Sequence, residues 1–259
     1  MKKIVGIISI VSLVMAVSLS SCKQSGAKKS TEAAVDTTLN YLTAQEKADG
    51  WILMFDGKTT NGWRGYGKPT FPDSGWVVED GTLRCIGSGQ GEAGGKGGDI
   101  IYDKRFKDFD LKLEWKISPG GNSGIFILAE ELPGEPIWKS APEDQILDDA
   151  KHPDAMLGKD GNRKAGSLYD LIPTKVPAKP AGEWNQVEII SYQGTVVFKM
   201  NGETGLEFHL GTPDWEKMIK ESKFKDFPEF GKIREGYIGL QDHGNDVWFR
   251  NIKIKPPFF

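Results

Sequence analysis

The sequence is poor in the residues that most often carry covalent or metal chemistry. Its 259 residues include two cysteines and three histidines. Cys22 stands near the amino end, so Cys85 is the single thiol of the region that follows, and no internal disulfide can form there. Cys85 sits in the alternating run Gly81-Thr82-Leu83-Arg84-Cys85-Ile86, the setting of a buried, inert cysteine rather than a nucleophile. No H-E-x-x-H pair and no Ser-His-Asp arrangement is visible. Neither charge sign dominates: 33 basic residues stand against 36 acidic ones, a net charge of −3. Without a basic face or arm outside residues 23–38, a nucleic-acid partner is excluded. The glycine run at 87–98 (GSGQGEAGGKGG) satisfies G-x-G-x-x-G at Gly89, Gly91 and Gly94. No βαβ unit follows, however, and Lys96 precedes Gly97 where a phosphate loop needs Ser or Thr. The run therefore reads as a flexible loop, placed to border a binding cleft.

Residues 1–22 have the parts of a secretion signal: Lys2 and Lys3, an apolar run over 4–17, then Leu19-Ser20-Ser21-Cys22. That run is shorter than the roughly 20 residues of a membrane-spanning helix, so it reads as a removable signal. Its end resembles a bacterial lipobox, which implies lipidation of Cys22 and a chain anchored in the cell envelope, periplasmic or outer-membrane. Lys23-Gln24-Ser25 lacks an acidic run that would direct the anchor to the cell surface, so the leaflet stays open. Residues 23–41 are rich in Ser, Lys, Ala and Thr without apolar periodicity, the composition of a tether. The folded domain is expected over 42–259.

What the domain does have is alternation. Turn signals at Gly57, Asn61-Gly62, Asp80-Gly81, Pro119-Gly120-Gly121, Gln193-Gly194 and Asn201-Gly202 separate short strand-like runs. The clearest runs are 76–79, 109–117, 124–128, 186–190, 195–200 and 237–240. In 109–117 Phe109, Leu111, Leu113, Trp115 and Ile117 share a face opposite charged residues. This is the pattern of an all-β sandwich of two antiparallel sheets, each with one buried face. One helix is expected, over 213–219, with Trp215, Met218 and Ile219 on one side. Eight Trp and thirteen Phe suffice for a core and a few exposed platforms. Trp63 and Trp184 read as packed, whereas Trp138 follows Pro133-Gly134-Glu135-Pro136 in a loop and is free to face a sugar.

Residues 142–171 concentrate Glu143, Gln145, Asp148, His152, Arg163 and Tyr169. A strand over 143–147 puts Glu143 and Gln145 on one face and Ile146 toward the core. Pro142 cannot donate to a ladder, so this strand starts there or lies at an edge. The following loop is long, and long loops within compact domains tend to be functional. His243 lies in Gln241-Asp242-His243-Gly244 after a strand, where Gly244 permits close approach. His209, at a strand end, reads as structural, as does Arg250, which is expected to pair with a carboxylate on a neighbouring strand.

Ordered blocks along the chain resemble the 3-keto-disaccharide hydrolase family: FDGK (55–58), GW (62–63), WVVEDGTL (76–83), DFD (108–110), GNSGI (121–125), EDQILD (143–148), HPDA (152–155), AGSLYD (165–170), GEWN (182–185), LQDHG (240–244) and FRNI (249–252). The resemblance runs from about residue 50 to the end. It implies a concanavalin-like jelly roll and cleavage of glycosidic bonds in sugars oxidised at C3. The ketone acidifies the C2 hydrogen, a base removes it, and the enolate expels the C1 substituent. Such a site needs a base, an electrophile at the C3 oxygen and an acid for the leaving oxygen. Glu143, His243 and His152 are the candidates for proton transfer. Asn122, Gln145, Asp148, Arg163, Tyr169, Gln241 and Trp138 are those for substrate binding. Arg163, Asn122, Gln145 or a divalent metal held by the histidines and a carboxylate would stabilise the enolate. Direct hydrolysis would instead pair Glu143 with Asp148 or Asp242. The same fold also serves non-catalytic carbohydrate-binding modules and envelope scaffolds. Oligomeric state stays open.

Overall fold

Alternating apolar residues dictate two sheets, and among the described residues the chain forms them with thirteen strands. The structure, a computed structural model, describes residues 39–90 and 95–257. The expected signal peptide, the expected lipidation site Cys22, all but the last residues of the expected tether, and Gly91 and Gly94 lie outside the described residues. The larger sheet comprises β1 (Ile52–Leu53), β3 (Trp76–Glu79), β4 (Thr82–Cys85), β6 (Phe109–Ile117), β9 (Asn185–Tyr192), β10 (Thr195–Met200), β11 (Glu203–His209) and β13 (Val247–Lys255). It runs β11-β10-β9-β6-β13-β4-β3, with β1 beside β13. The smaller sheet comprises β2 (Trp63–Gly65), β5 (Ile100–Tyr102), β7 (Asn122–Ala129), β8 (Glu143–Leu147) and β12 (Tyr237–Leu240), in the order β2-β5-β12-β7-β8. The pairings are antiparallel throughout, giving the all-β jelly-roll sandwich.

Between the sheets, Leu83, Leu111, Leu113, Trp115, Phe198 and Phe249 of the larger sheet meet Ile100, Ile125, Ile127, Ile146, Ile238 and Leu240 of the smaller. In β6 alternate residues are buried from Phe109 to Ile117. Arg250 lies opposite Glu114 of β6 and donates to it from Nε at 2.7 Å. Its guanidinium also covers the Trp184 ring at 3.9 Å, while the Trp63 indole donates to the Met54 carbonyl within the core. Cys85 is fully buried and its thiol is pushed up by burial.

The smaller sheet is buried on both faces. Every residue of β7 and β8 is buried, and Ile137 and Ala141, with Trp138 beside them, pack on the outer face around Ile101 and Phe126. The inner face holds a residue that alternation did not single out: Asp144 is wholly buried, and desolvation raises its carboxyl well above the ordinary range.

Two helices are present among the described residues. α2 (Pro213–Lys220) begins where Thr212 accepts the Trp215 N–H at 3.2 Å, and it buries Trp215. α1 (Ala44–Ala48) was not expected. A capping box between Thr43 and Glu46 starts it. Packing begins by Asn40, whose N–H donates to Asn251 Oδ1 at 2.7 Å while its own Oδ1 accepts the Asn251 N–H at 2.8 Å.

Candidate active site

The site is built on the outer face of the smaller sheet. Asn122 pairs with Leu147, Gly124 with Gln145 and Phe126 with Glu143, and directly opposed residues share a face. Asn122, Gln145 and Glu143 are thereby gathered around Gly124. A Cβ at Gly124 would lie 2.0 Å from Glu143 Oε1, so the carboxylate is seated over a position that has no side chain. Gln241 joins from the end of β12, its N–H donating to the Gly124 carbonyl at 3.0 Å. His243 follows, with Nε2 3.4 Å from Asn122 Nδ2.

These groups floor a cavity of about 290 Å³, near the lower end of the roughly 300–1,000 Å³ of small-ligand clefts. Asn122 Oδ1, Gln145 Oε1, Gln241 Oε1 and His243 Nδ1 are buried without a hydrogen-bond partner in the protein. Buried polar atoms are nearly always paired. Four unmatched atoms on residues lining one cavity therefore single it out as the candidate site.

An aromatic wall faces this floor. Trp138, in the 3-10 turn Ile137–Lys139, packs on Phe227 at 5.4 Å between ring centroids. Phe224 and Phe230 stack at 4.0 Å, Phe230 stacks on Trp215, and Trp215 stacks on Phe208. The cleft wall is thus the outer end of a column of rings rooted in the core. Phe224, Phe227 and Phe230, with Lys223 beside them, come from the segment after α2, outside every element expected from the sequence. Their signal was an aromatic every third residue after a helix.

Tyr169 completes the lining. Its hydroxyl donates to Asp154 Oδ2 at 2.9 Å, and Arg163 holds Asp154 at 2.8 Å and Asp170 at 2.5 Å. Burial alone would raise the Asp154 carboxyl, but the bonds from Arg163 and Tyr169 hold it below the ordinary range. Burial, reinforced by Asp154, pushes the Tyr169 phenol up.

Seven of the expected site residues therefore share the cleft: Glu143, His243, Asn122, Gln145, Gln241, Tyr169 and Trp138. The other three stand outside its lining. Arg163 is committed to two carboxylates and orients Tyr169 through Asp154. Asp148 accepts the Gly120 and Ala150 amides at 2.7 and 3.1 Å, fixing the turn before β7. His152 stands behind His243, ring centroids 6.2 Å apart and edge to face. Its Nδ1 accepts the Asp154 N–H at 3.2 Å, and burial, then the neighbouring His243, lowers its pKa. Asp242 likewise serves the backbone, accepting from Gly97, Gly98 and Gly244 at 2.9–3.0 Å. The glycine loop thus presents its amides to a carboxylate of the protein. Among the described residues no group of three or more His, Cys, Asp or Glu is arranged to hold a metal ion.

Fold and cleft together define a two-sheet β-sandwich protein with a cleft of polar and aromatic groups on its smaller sheet. Over residues 50–255 the chain matches the model of the 3-keto-alpha-glucoside-1,2-lyase-like domain, and it belongs to that family. It is 48% identical to a 3-keto-disaccharide hydrolase of Bacteroides thetaiotaomicron, over 92% of this chain and 93% of that one. Among solved structures it resembles a protein of Parabacteroides distasonis provisionally named a glycosyl hydrolase, with a TM-score of 0.74 and 32% identity over 85% of this chain and all of the other. A second so named from the same organism has a TM-score of 0.56 and 26% identity, covering 76% of this chain and all of that one.

Proposed function

We propose that the chain is an enzyme that cleaves the glycosidic bond of 3-keto sugars by elimination. A base takes the C2 proton, the electron pair of that C–H bond forms the enolate with the C3 carbonyl, and the enolate re-forms the ketone as the C1–O bond breaks. The leaving oxygen takes a proton from an acid, and water adds to the unsaturated product afterwards. Glu143 and His243 divide the two proton transfers between them. Asn122, Gln145 and Gln241 bind the sugar hydroxyls, and the aromatic wall covers the apolar face of the ring.

The observation that carries this reading is the charge inventory of the cleft. Glu143 is the one carboxylate among the described residues that line it. Hydrolysis by two carboxyl groups requires both to flank the bond, about 5–5.5 Å or 6.5–9.5 Å apart. Asp148 and Asp242, which would be the second, are occupied by backbone amides. One carboxylate beside one imidazole suits an elimination. The names of the family and of its Bacteroides relative support the same substrate class.

The test is product analysis by mass spectrometry and NMR after incubation with a 3-keto glucoside and with its unoxidised parent. The expected result is release of the aglycone from the keto sugar alone, through a 2-hydroxyglycal, and its loss in Glu143→Gln and His243→Ala. Equal cleavage of the parent overturns elimination, and binding of either sugar without turnover makes the protein a binding module. From the Leu-Ser-Ser-Cys signal we propose in addition an envelope lipoprotein anchored at Cys22. Incorporation of labelled fatty acid and sedimentation with membranes should both be lost in Cys22→Ser.

A further inference from the structure

The elimination just proposed places a negative charge on the C3 oxygen, and the cleft must offer something to meet it. Arg163, the arginine of the segment that carries Glu143 and Gln145, is already bound through Nη1 to Asp154 and through Nε to Asp170. We infer that Lys223 supplies the positive charge that holds the C3 oxygen as the enolate forms; the inference rests on the elimination reading.

Lys223 is the one lysine or arginine among the described residues that line the cleft. Its ammonium stands 4.0 Å from the centroid of the Tyr169 ring and 5.2 Å from that of Phe224. These rings shield part of the side chain from water, which strengthens a charge interaction made on that side. Its acidic neighbour Asp170 is shared: Oδ1 is bonded by Arg163 at 2.5 Å, whereas Oδ2 lies 3.7 Å from Lys223. The ammonium is thereby held in place without a close ion pair that would use up its donors. With 41% of its side chain exposed, it enters from the rim on a flexible stem that carries three donors. Whichever group takes the C2 proton, one unit of negative charge arrives on the C3 oxygen. A fixed cation lowers the energy of that state relative to the neutral ketone.

The test separates enolate formation from bond cleavage. A 3-keto sugar lacking the C1 substituent cannot eliminate, so exchange of its C2 hydrogen in deuterated water, followed by NMR, reports enolate formation alone. The full chain and its Lys223→Met and Lys223→Arg variants are compared on this analogue and on a 3-keto glucoside. Lys223→Met is expected to slow exchange and elimination alike by about 10²–10³-fold, the loss typical of one oxyanion donor, with Lys223→Arg retaining activity to within about tenfold. Melting temperatures should match, since the side chain stands at the rim. Exchange in Lys223→Met within about threefold of wild type overturns the inference, as does a slowing confined to elimination, which would place Lys223 at the leaving group. If the unaltered chain neither exchanges nor eliminates, the elimination reading fails and this inference falls with it.

Discussion

Gly124 matters for the atom it lacks. The carboxylate of Glu143 occupies the space a Cβ would take, so Gly124→Ala pushes the carboxylate aside while leaving the strand pairing intact. Displacement by about an ångström costs reactions of this kind on the order of 10²-fold. Steady-state assay should therefore show Gly124→Ala losing about as much activity as a direct change at Glu143, with the circular dichroism spectrum unchanged. His152 makes a second residue-scale prediction. Its Nδ1 is engaged as an acceptor and burial depresses its pKa, so the folded state binds fewer protons than the unfolded one. Its contribution to stability is complete above the ordinary histidine value of about 6.5 and is lost as pH falls from there toward the depressed value. His152→Asn keeps a capping acceptor and removes the titration. The melting temperature of the variant should fall less between pH 7 and pH 5 than that of wild type; parallel falls would contradict the assignment. In the sequence, Glu143 and Gln145 could be placed on one face because a strand has a period of two. The commitment of Arg163 could not, since Asp154 and Asp170 reach it through loop geometry rather than a repeat. Lys223 carried no motif at all.

Among the elements, α2 does more than close one end of the sandwich. Trp215 stands between Phe208 and Phe230, so the helix transmits the position of the core to the cleft wall. The return of the chain after the wall is made at Gly231, where φ is +64° and a Cβ would lie 2.2 Å from Trp215 Cζ2. Gly231→Ala should destabilise the protein by at least about 1–3 kcal/mol for the backbone conformation alone, measured as a lower denaturation midpoint. A wall displaced with the ring should also raise KM. Strands such as β3, β6, β10 and β12 were legible because alternation and glycine turns are local signals. Apart from Trp138 the wall was not, because Phe224 and Phe227 lie in and beside a single 3-10 turn, Lys223–Asp226, too short for their spacing of three to stand out as a period. The five residues of α1 fell below the length at which periodicity can be seen, although Thr43 and Glu46 carried its start signal.

At the scale of the whole molecule, sequence patterning identified a two-sheet sandwich but left open which sheet would bear the site. That depends on β12 pairing with β7 across more than a hundred residues, and no local pattern encodes it. The pairing brings Gln241 and His243 to Asn122, Glu143 and Gln145. It also gathers four polar atoms that no protein group satisfies, and a buried unmatched acceptor costs about 1–3 kcal/mol. Gln145→Leu should consequently abolish turnover and yet raise the melting temperature, by roughly 2–4 °C for each kilocalorie recovered in a domain of this size. Selection for heat resistance alone would erode the floor of this cleft, and variants recovered from such a screen should be more robust and less active.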